Sequence, residues 1–172
     1  RSALVGGLDG ISNVAAGDVI GREAGGTMPH ALLICFGKGN QEAAWRAFDD
    51  AVGPDVPRIA LCDTYDDEVD EAIRAAETIE DLDGVRIDTT GSRRGDFRHI
   101  LREVRWALDA RGHEDVDLFA SGGLDAATIR DLRDVADGFG VGSYVSNADP
   151  IYFALDIVEV DGDPAGKRGK LG

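Results

Sequence analysis

The sequence predicts an α/β protein whose parallel strands form an incomplete (β/α) barrel of about six strands. Short apolar runs alternate with longer amphipathic segments along most of the 172 residues, which is typical of strand–helix–strand units. Helical connections of that length require neighbouring strands to be parallel. Glycine or polar residues follow nearly every apolar run. This favours a barrel, where all strand ends meet at one mouth, over an open doubly wound sheet.

The predicted strands are short apolar runs that end at glycine or polar residues. The clearest covers 118–120 and stops at Ser121-Gly122-Gly123, before an amphipathic segment that opens at Asp125. The other predicted strands cover 3–5, a weak run ending at 27, 58–62, 84–88, a run ending at 139–143, and the longer 152–160.

The helices are predicted from the spacing of apolar residues and from their terminal residues. They cover 11–19, 28–35, 41–52, 66–79, 96–110 and 125–135. Trp45 and Trp106 lie at helical spacing with other apolar residues, so both are predicted to be core residues.

The charge of the chain is strongly acidic. The net charge is −15, Asp outnumbers Glu 24 to 9, and Arg outnumbers Lys 15 to 3. An Asp-rich, Lys-poor composition resembles that of proteins from salt-loving organisms. Because nucleic acids and membrane surfaces are polyanionic, the charge argues against either as a partner. A local arginine pocket could still hold a phosphate group.

The two cysteines, Cys35 and Cys62, both lie in apolar runs and lack the spacing of metal ligands. They are predicted to be buried free thiols. The sequence shows no signal peptide, and no apolar run approaches the ~18 residues of a membrane-spanning helix. The predicted location is the cytoplasm.

The strand ends carry a set of side chains suited to phosphate and sugar chemistry. Glycine turns can offer N–H groups to phosphate. Carboxylates can hold Mg²⁺ or the hydroxyls of a ribose, and a histidine can serve as acid, base or phosphate carrier. A substrate with separated phosphates and a sugar therefore fits this mouth better than a hydrophobic one. The set comprises Asp9, Thr27, His30, Asp63, Thr64, Arg86, Asp88, Ser121, Gly122, Gly123, Gly140, Gly142 and Ser143.

Ordinary structural explanations stay open for several of these positions. The 121–123 segment could be a plain strand-to-helix turn, for which glycine is the default residue. His30 could be a helix-start histidine bonded to the main chain. Arg93 and Arg94 could reach phosphate or form surface ion pairs, which contribute little to stability. The acidic run 66–68 is predicted to be a solvated helix start rather than a Mg²⁺ site.

The chain carries six motifs in this order: GGLDGISNVAAG, GGTMPHALL, LCDTYDD, VRIDTTGSRRGDF, LFASGGLDAATI and FGVGSYVSNADP. Together they resemble the archaeal nicotinate phosphoribosyltransferases, a family of type II phosphoribosyltransferases. The resemblance spans nearly the whole chain. It implies an incomplete α/β barrel and transfer of phosphoribosyl from phosphoribosyl pyrophosphate to nicotinate. The products would be nicotinate mononucleotide and pyrophosphate, with ATP hydrolysis as the driver and Mg²⁺ as the cofactor.

The resemblance also implies a role for each matching residue. His30 would be phosphorylated by ATP, and Arg86 would face the nicotinate carboxylate. Asp63 and Asp88 would act near the ribose and pyrophosphate and would be the metal ligands. The remaining implied substrate-binding residues are Asp9 at the pyridine, Thr27, and, around the 5′-phosphate, Ser121, Gly122, Gly123, Gly142 and Ser143.

Residues 1–160 are accordingly expected to form the catalytic barrel of a longer enzyme, without the amino-terminal domain of the family. Residues 161–172 are expected to be a truncated tail. A homo-oligomer is expected. Two alternatives stay open: the related enzyme that uses quinolinate, and a non-catalytic phosphate-binding barrel. A quinolinate enzyme should carry a cluster of Arg, Lys and His for the dicarboxylate. A non-catalytic remnant would have no need to keep His30, Arg86 and Asp88 together.

Overall fold

The computed structural model describes residues 2–168 and contains one parallel sheet of four strands in the order β1-β2-β3-β4. The strands are β1 (Ile59–Leu61), β2 (Gly84–Ile87), β3 (Asp117–Ala120) and β4 (Gly138–Phe139). The predicted α/β class is confirmed. The sheet has four parallel strands rather than about six, and over the described residues it does not close into a barrel.

Helices connect and flank the strands. Their bounds are α1 Ser2–Val5, α2 Val14–Ile20, α3 His30–Phe36, α4 Gln41–Ala51, α5 Glu68–Thr78, α6 Gly91–Arg94, α7 Phe97–Asp109, α8 Ala126–Leu132 and α9 Ser143–Ser146. Two further short strands, β5 (Glu159–Val160) and β6 (Asp163–Pro164), form a separate antiparallel pair. Within residues 2–168, none of the helices has the length and apolar character that crossing a membrane requires.

Three of the crossover helices begin at an aspartate that caps them. Asp67 accepts a hydrogen bond from the Val69 N–H at 3.0 Å, and Asp125 accepts one from the Thr128 N–H at 2.7 Å. Asp96 does the same at the start of α7. Such side-chain acceptors satisfy main-chain donors that have no partner within the helix. The caps therefore fix where α5, α7 and α8 begin after their strands.

The core lies between the sheet and these helices. Helix α7 buries one face through residues at helical spacing, among them Leu101, Val104 and Leu108. Trp45 is fully buried and donates from Nε1 to the Leu61 carbonyl oxygen at 3.2 Å, which confirms it as a core residue. Trp106 is 72% exposed, so that prediction was wrong. Position 106 lies about 200° around the helix from Val104, on the solvent side.

Three of the predicted strands do not form as expected, because no neighbouring strand of the described chain is available to pair with them. Residues 3–5 are helical, and the run ending at Thr27 has no regular secondary structure. Only two residues of the predicted strand 152–160 pair, and they pair antiparallel with β6. A strand needs a partner for its main-chain donors and acceptors. The apolar side chains of this run, such as Phe153 and Leu155, are exposed.

The two cysteines differ in burial. Cys62, one residue after β1, is fully buried, and burial raises the pKa of its thiol well above the usual range. Cys35 is exposed, contrary to the prediction. Leu33 is the buried residue of α3, and Cys35 lies about 200° around the helix from it.

A buried carboxylate fixes the loop that follows β1. Glu71 of α5 is fully buried and accepts the main-chain N–H groups of Thr64, Tyr65 and Asp66, each at 3.0 Å. The Gln41 side-chain amide donates to it as well, at 3.1 Å. These bonds compensate the burial of the charge. They hold the loop directly after Asp63 in one conformation.

We expect Glu71→Ala to lower the free energy of unfolding by about 3 kcal/mol, because it leaves buried donors without an acceptor. Urea denaturation would measure the loss. The matched control is Glu77→Ala, an exposed position of the same helix, which should change stability by less than about 0.5 kcal/mol. Equal losses in the two variants would show that the Glu71 bonds do not stabilise the loop.

Candidate active site

The carboxyl ends of β1, β2 and β3 place three predicted site residues side by side. Asp63 follows β1, Asp88 follows β2 and Ser121 follows β3. One carboxylate oxygen of Asp63 accepts the main-chain N–H of Asp88 at 2.5 Å. The Ser121 N–H donates to the Ile87 carbonyl oxygen at 2.9 Å. Asp63, Asp88 and Ser121 therefore form one continuous edge.

His30 joins this edge from helix α3, of which it is the first residue. Its Nε2 lies 3.1 Å from the second carboxylate oxygen of Asp63. The His30 side chain is 41% exposed, whereas that of Asp63 is 1% exposed. Both oxygens of Asp63 are thus occupied by neighbours, and the accessible group of the pair is the imidazole.

The pKa of the Asp63 carboxyl is raised above its ordinary value of 3.8, chiefly because burial disfavours the charged form. The charge of Asp88 raises it further, whereas His30 and the Asp88 N–H oppose the shift. Asp63 is a poorly solvated carboxylate whose main contacts are structural. Asp88, with a side chain 27% exposed, is the more accessible acid.

Arg86 points from β2 toward the segment before α3. Its two terminal nitrogens donate to the Thr27 hydroxyl and to the Met28 carbonyl oxygen, the latter at 3.0 Å. The Asp88 carboxylate lies 3.9 Å away. The Nε of Arg86 is buried without a partner among the described residues. Thr27 therefore contacts Arg86 and orients it.

The glycine turn after β3 packs directly on Asp88. Gly122 and Gly123 have φ angles of +85° and +62°, in the region that favours glycine. A Cβ on Gly122 would lie 2.3 Å from a carboxylate oxygen of Asp88, whereas one on Gly123 would meet nothing within 4 Å. The hydroxyl of Ser121 is buried without a partner in the described part of the chain. Position 122 therefore requires glycine because the main chain approaches Asp88 closely there, whereas Gly123 faces open space.

The second predicted glycine segment lies across a cleft from this turn. Gly142 immediately precedes α9. The cleft has a volume of about 570 Å³ and is lined by Gly123, Leu124, Asp125, Ser143, Tyr144, Asn147, Ala148 and Asp149. Gly123 and Ser143, predicted to hold the same phosphate, thus share one cleft.

Asp9 is not joined to this cluster. The contact that the structure gives it is between its main-chain oxygen and Nη1 of Arg22, at 3.2 Å.

The acidic run 66–68 also differs from expectation. Glu68 is buried and accepts from the Thr89 hydroxyl at 2.7 Å, and Asp66 pairs with Arg74 at 2.9 Å. The run is therefore the start of α5, as predicted, but Asp66 and Glu68 are bonded to neighbours rather than solvated.

Arg93 and Arg94, ambiguous in the sequence, have separate environments. Arg93 forms an ion pair with Glu68 at 3.4 Å. Arg94 donates to three carbonyl oxygens, those of Thr89 at 2.9 Å, Ser121 at 2.9 Å and Gly122 at 2.6 Å. Its guanidinium lies 4.0 Å from the centre of the Phe97 ring. Burial lowers the pKa of Arg94, against the opposing charges of Asp88 and Asp63. No sequence signal distinguishes the two arginines.

The residues of this edge can bind anions, orient a sugar and position a histidine. Comparison with known proteins assigns the class. A family model described as the C-terminal domain of quinolinate phosphoribosyl transferase matches residues 15–156. The chain belongs to this family, which confirms the predicted phosphoribosyltransferase class.

Individual relatives carry nicotinate names. The chain is 33% identical to nicotinate phosphoribosyltransferase pncB1 of Mycobacterium tuberculosis, over 98% of this chain and 38% of that protein. It is 31% identical to nicotinate phosphoribosyltransferase of Bacillus subtilis, over 94% of this chain and 34% of that protein. The crystal structure of nicotinate-nucleotide pyrophosphorylase from Pyrococcus furiosus is similar with a TM-score of 0.90 and 52% identity, over 99% of this chain and 44% of that one. The chain thus spans less than half the length of each.

We expect Gly122→Ala to lower the free energy of unfolding by about 2 kcal/mol, because a β-carbon there collides with Asp88 and the backbone φ is unfavourable. Gly123→Ala is the matched control, since it carries the φ penalty without the collision and should cost about 1 kcal/mol. Chemical denaturation of both variants measures the difference. A Gly122 variant no less stable than the Gly123 variant would contradict the close packing on Asp88.

The raised pKa of Asp63 predicts a pH dependence of stability. A carboxyl whose pKa is higher in the folded state contributes most stability below its ordinary pKa of 3.8, and the contribution is lost as the pH rises through the folded value. The stability of wild type relative to Asp63→Asn should therefore decline as the pH rises above about 3.8. Urea denaturation across the acidic range measures this decline.

Asp125→Asn provides the opposite control. The pKa of Asp125 is lowered, chiefly by the Thr128 main-chain N–H, so wild type should gain stability relative to this variant as the pH rises. The same sign of slope in both comparisons would contradict the burial effect at Asp63.

Proposed function

We propose that the protein, as part of a longer enzyme, transfers phosphoribosyl from phosphoribosyl pyrophosphate to nicotinate. The products are nicotinate mononucleotide and pyrophosphate, in NAD salvage. The observation that carries this proposal is the shared edge on which His30, Asp63, Arg86 and Asp88 adjoin the 121–123 turn. The relatives named nicotinate phosphoribosyltransferase support it, because they align with nearly the whole of this chain.

The glycine turn is proposed to hold the 5′-phosphate. The N–H groups of Gly122 and Gly123 donate to no other group within residues 2–168, and both φ angles are positive. Successive free N–H groups of this kind form anion-binding concavities. Ser143 lies on the same cleft as Gly123. A phosphate there would place the ribose near the Asp88 carboxylate, which packs on Gly122.

Asp88 is proposed to act on the ribose. Departure of pyrophosphate from the anomeric carbon builds positive charge on the sugar ring, and a nearby carboxylate stabilises that charge. Asp63, nearly fully buried, is better suited to holding His30 and the Asp88 main chain than to touching the substrate. The two acids therefore have different proposed roles.

Mg²⁺ is expected with a pyrophosphate substrate, and this ion takes oxygen ligands. Within residues 2–168 no group of three or more His, Cys, Asp or Glu side chains could hold a metal. Mg²⁺ is commonly bound by one or two carboxylates together with substrate phosphates and water. Asp88 fits that pattern. Asp63 fits less well, because both of its oxygens already accept hydrogen bonds. Bound Mg²⁺ would neutralise charge on the leaving pyrophosphate.

His30 is proposed to accept a phosphoryl group from ATP. Since Nε2 lies against Asp63, Nδ1 is the nitrogen free to attack the γ-phosphorus, with release of ADP. Asp63 would keep the imidazole in the tautomer that donates from Nε2. The phosphoryl group would add about two negative charges beside the site. Hydrolysis of that group would couple ATP to the transfer reaction.

Arg86 is proposed to recognise the nicotinate carboxylate. Its side chain is held by Thr27 and Met28, and its Nε has no protein partner among the described residues. Quinolinate is the second candidate, favoured by the description of the family model. Its second carboxylate needs further cations. The neighbouring Arg93 and Arg94 are already bonded to Glu68 and to carbonyl oxygens, which supports the monocarboxylate.

A homo-oligomer and a cytoplasmic location stay predictions.

The experiment uses the full-length enzyme with phosphoribosyl pyrophosphate, Mg²⁺ and high salt, with either nicotinate or quinolinate, and with or without ATP. Pyrophosphate release is the readout. We expect release with nicotinate, stimulated by ATP in wild type. In His30→Ala the stimulation by ATP should be lost, because no phosphoryl acceptor remains.

His99→Ala is the control, since His99 is exposed and contacts Glu103 at 3.2 Å; ATP stimulation should persist in it. Release of pyrophosphate and CO₂ with quinolinate alone would replace the proposed substrate. No release with either pyridine would leave a non-catalytic phosphate-binding protein. ATP stimulation retained in His30→Ala would overturn the phosphohistidine alone.

A further inference from the structure

We infer that Arg94 is a positioning residue that orients the main-chain N–H groups of Gly122 and Gly123 toward the substrate phosphate. The inference rests on the proposed function, because it assigns the turn to a phosphate of phosphoribosyl pyrophosphate. Arg94 would keep the turn in the conformation that accepts this phosphate. Arg94 itself need not touch the ligand.

The geometry of the peptide bond carries the argument. One nitrogen of Arg94, Nη2, donates to the carbonyl oxygens of both Ser121 and Gly122. The described chain has no cis peptide bond. In a trans peptide the C=O of one residue points opposite to the N–H of the next. With both carbonyls directed at Arg94, the N–H groups of Gly122 and Gly123 must point away from it.

Those two N–H groups are available for a ligand. Neither donates to any acceptor in the described chain, and an added Cβ at Gly123 would meet nothing within 4 Å. Gly123 lines the 570 Å³ cleft. Arg94 thus holds the carbonyl side of the turn, while the two adjacent N–H donors have no acceptor among the described residues. Without it, the two carbonyl oxygens could rotate toward the cleft and repel an anion.

Arg94 is itself held rigidly. Its Nε donates to the Thr89 carbonyl oxygen at 2.9 Å, and its guanidinium stacks 4.0 Å from the Phe97 ring centre. A planar fork with several fixed donors is needed to join three carbonyl oxygens, and a lysine ammonium cannot reproduce it. The guanidinium also connects the loop after β2 to the turn after β3. It therefore couples the position of Asp88 to that of the phosphate donors.

The test compares the full-length wild-type enzyme with Arg94→Ala, Arg94→Lys and Arg93→Ala. Arg93 is the matched control, being adjacent and paired with Glu68. We expect both Arg94 variants to raise KM for phosphoribosyl pyrophosphate by roughly tenfold or more, the loss expected when a charged hydrogen-bonding group is removed. KM for the pyridine substrate should stay within about twofold, and Arg93→Ala should match wild type. Calorimetric titration with ribose 5-phosphate should show the same weakening in the Arg94 variants.

The lysine variant decides between positioning and direct charge. Arg94→Lys keeps the positive charge and most of the apolar stem of the side chain, so it should fold even if Arg94→Ala does not, and a thermal unfolding curve would verify this. Wild-type KM in Arg94→Lys would overturn the inference, because charge alone would then suffice. A loss confined to kcat, or equal effects in the Arg93 and Arg94 variants, would overturn it as well. If wild type consumes no phosphoribosyl pyrophosphate with either pyridine, the proposed function fails and this inference with it.

Discussion

The buried carboxylate of Asp63 is the interaction on which the rest of this site depends. It joins three segments that are distant in sequence: α3 through His30, the end of β1, and the end of β2 through the Asp88 N–H. Burial of an unpaired carboxylate would cost several kcal/mol, and here both oxygens are bonded. The hydrogen bonds that offset this cost also hold His30 and the Asp88 main chain in place. The accessible imidazole of His30 and the Asp88 side chain are placed by a group that faces away from solvent.

Two arginines of this edge are held mainly by uncharged acceptors. The chain has a net charge of −15, which disfavours an anionic substrate at long range. Arg86 and Arg94 are anchored mainly by a hydroxyl and by carbonyl oxygens. Other arginines, namely Arg58, Arg74, Arg93, Arg98 and Arg105, form ion pairs with carboxylates. Neutral acceptors leave more of the positive charge of Arg94 uncompensated near the proposed phosphate position, whereas Arg86 also has the Asp88 carboxylate 3.9 Å away.

The sequence predicted the parts of this protein that depend on local pattern. Apolar runs located β1 to β3, and the glycine turn after β3 followed from its composition. Prediction from sequence failed where contacts between distant segments decide the structure. Trp106 lies on the outer side of α7, and residues 152–160 have almost no strand partner. The role of Thr27 toward Arg86, and the difference between Arg93 and Arg94, depend on contacts across 59 and 27 residues respectively. No periodicity encodes such contacts.

The register of the parallel sheet joins these long-range contacts into one site. Leu61 lies opposite Arg86, and Arg86 opposite Phe119, which brings the residues just beyond each strand together. A slip of one residue would reverse the side-chain faces of a strand and would separate the Asp88 N–H from Asp63. Gly122 could then no longer pack on Asp88, nor could Arg94 bridge the two loops. The site is therefore formed by the same register that builds the core, so its geometry depends on correct folding of the sheet.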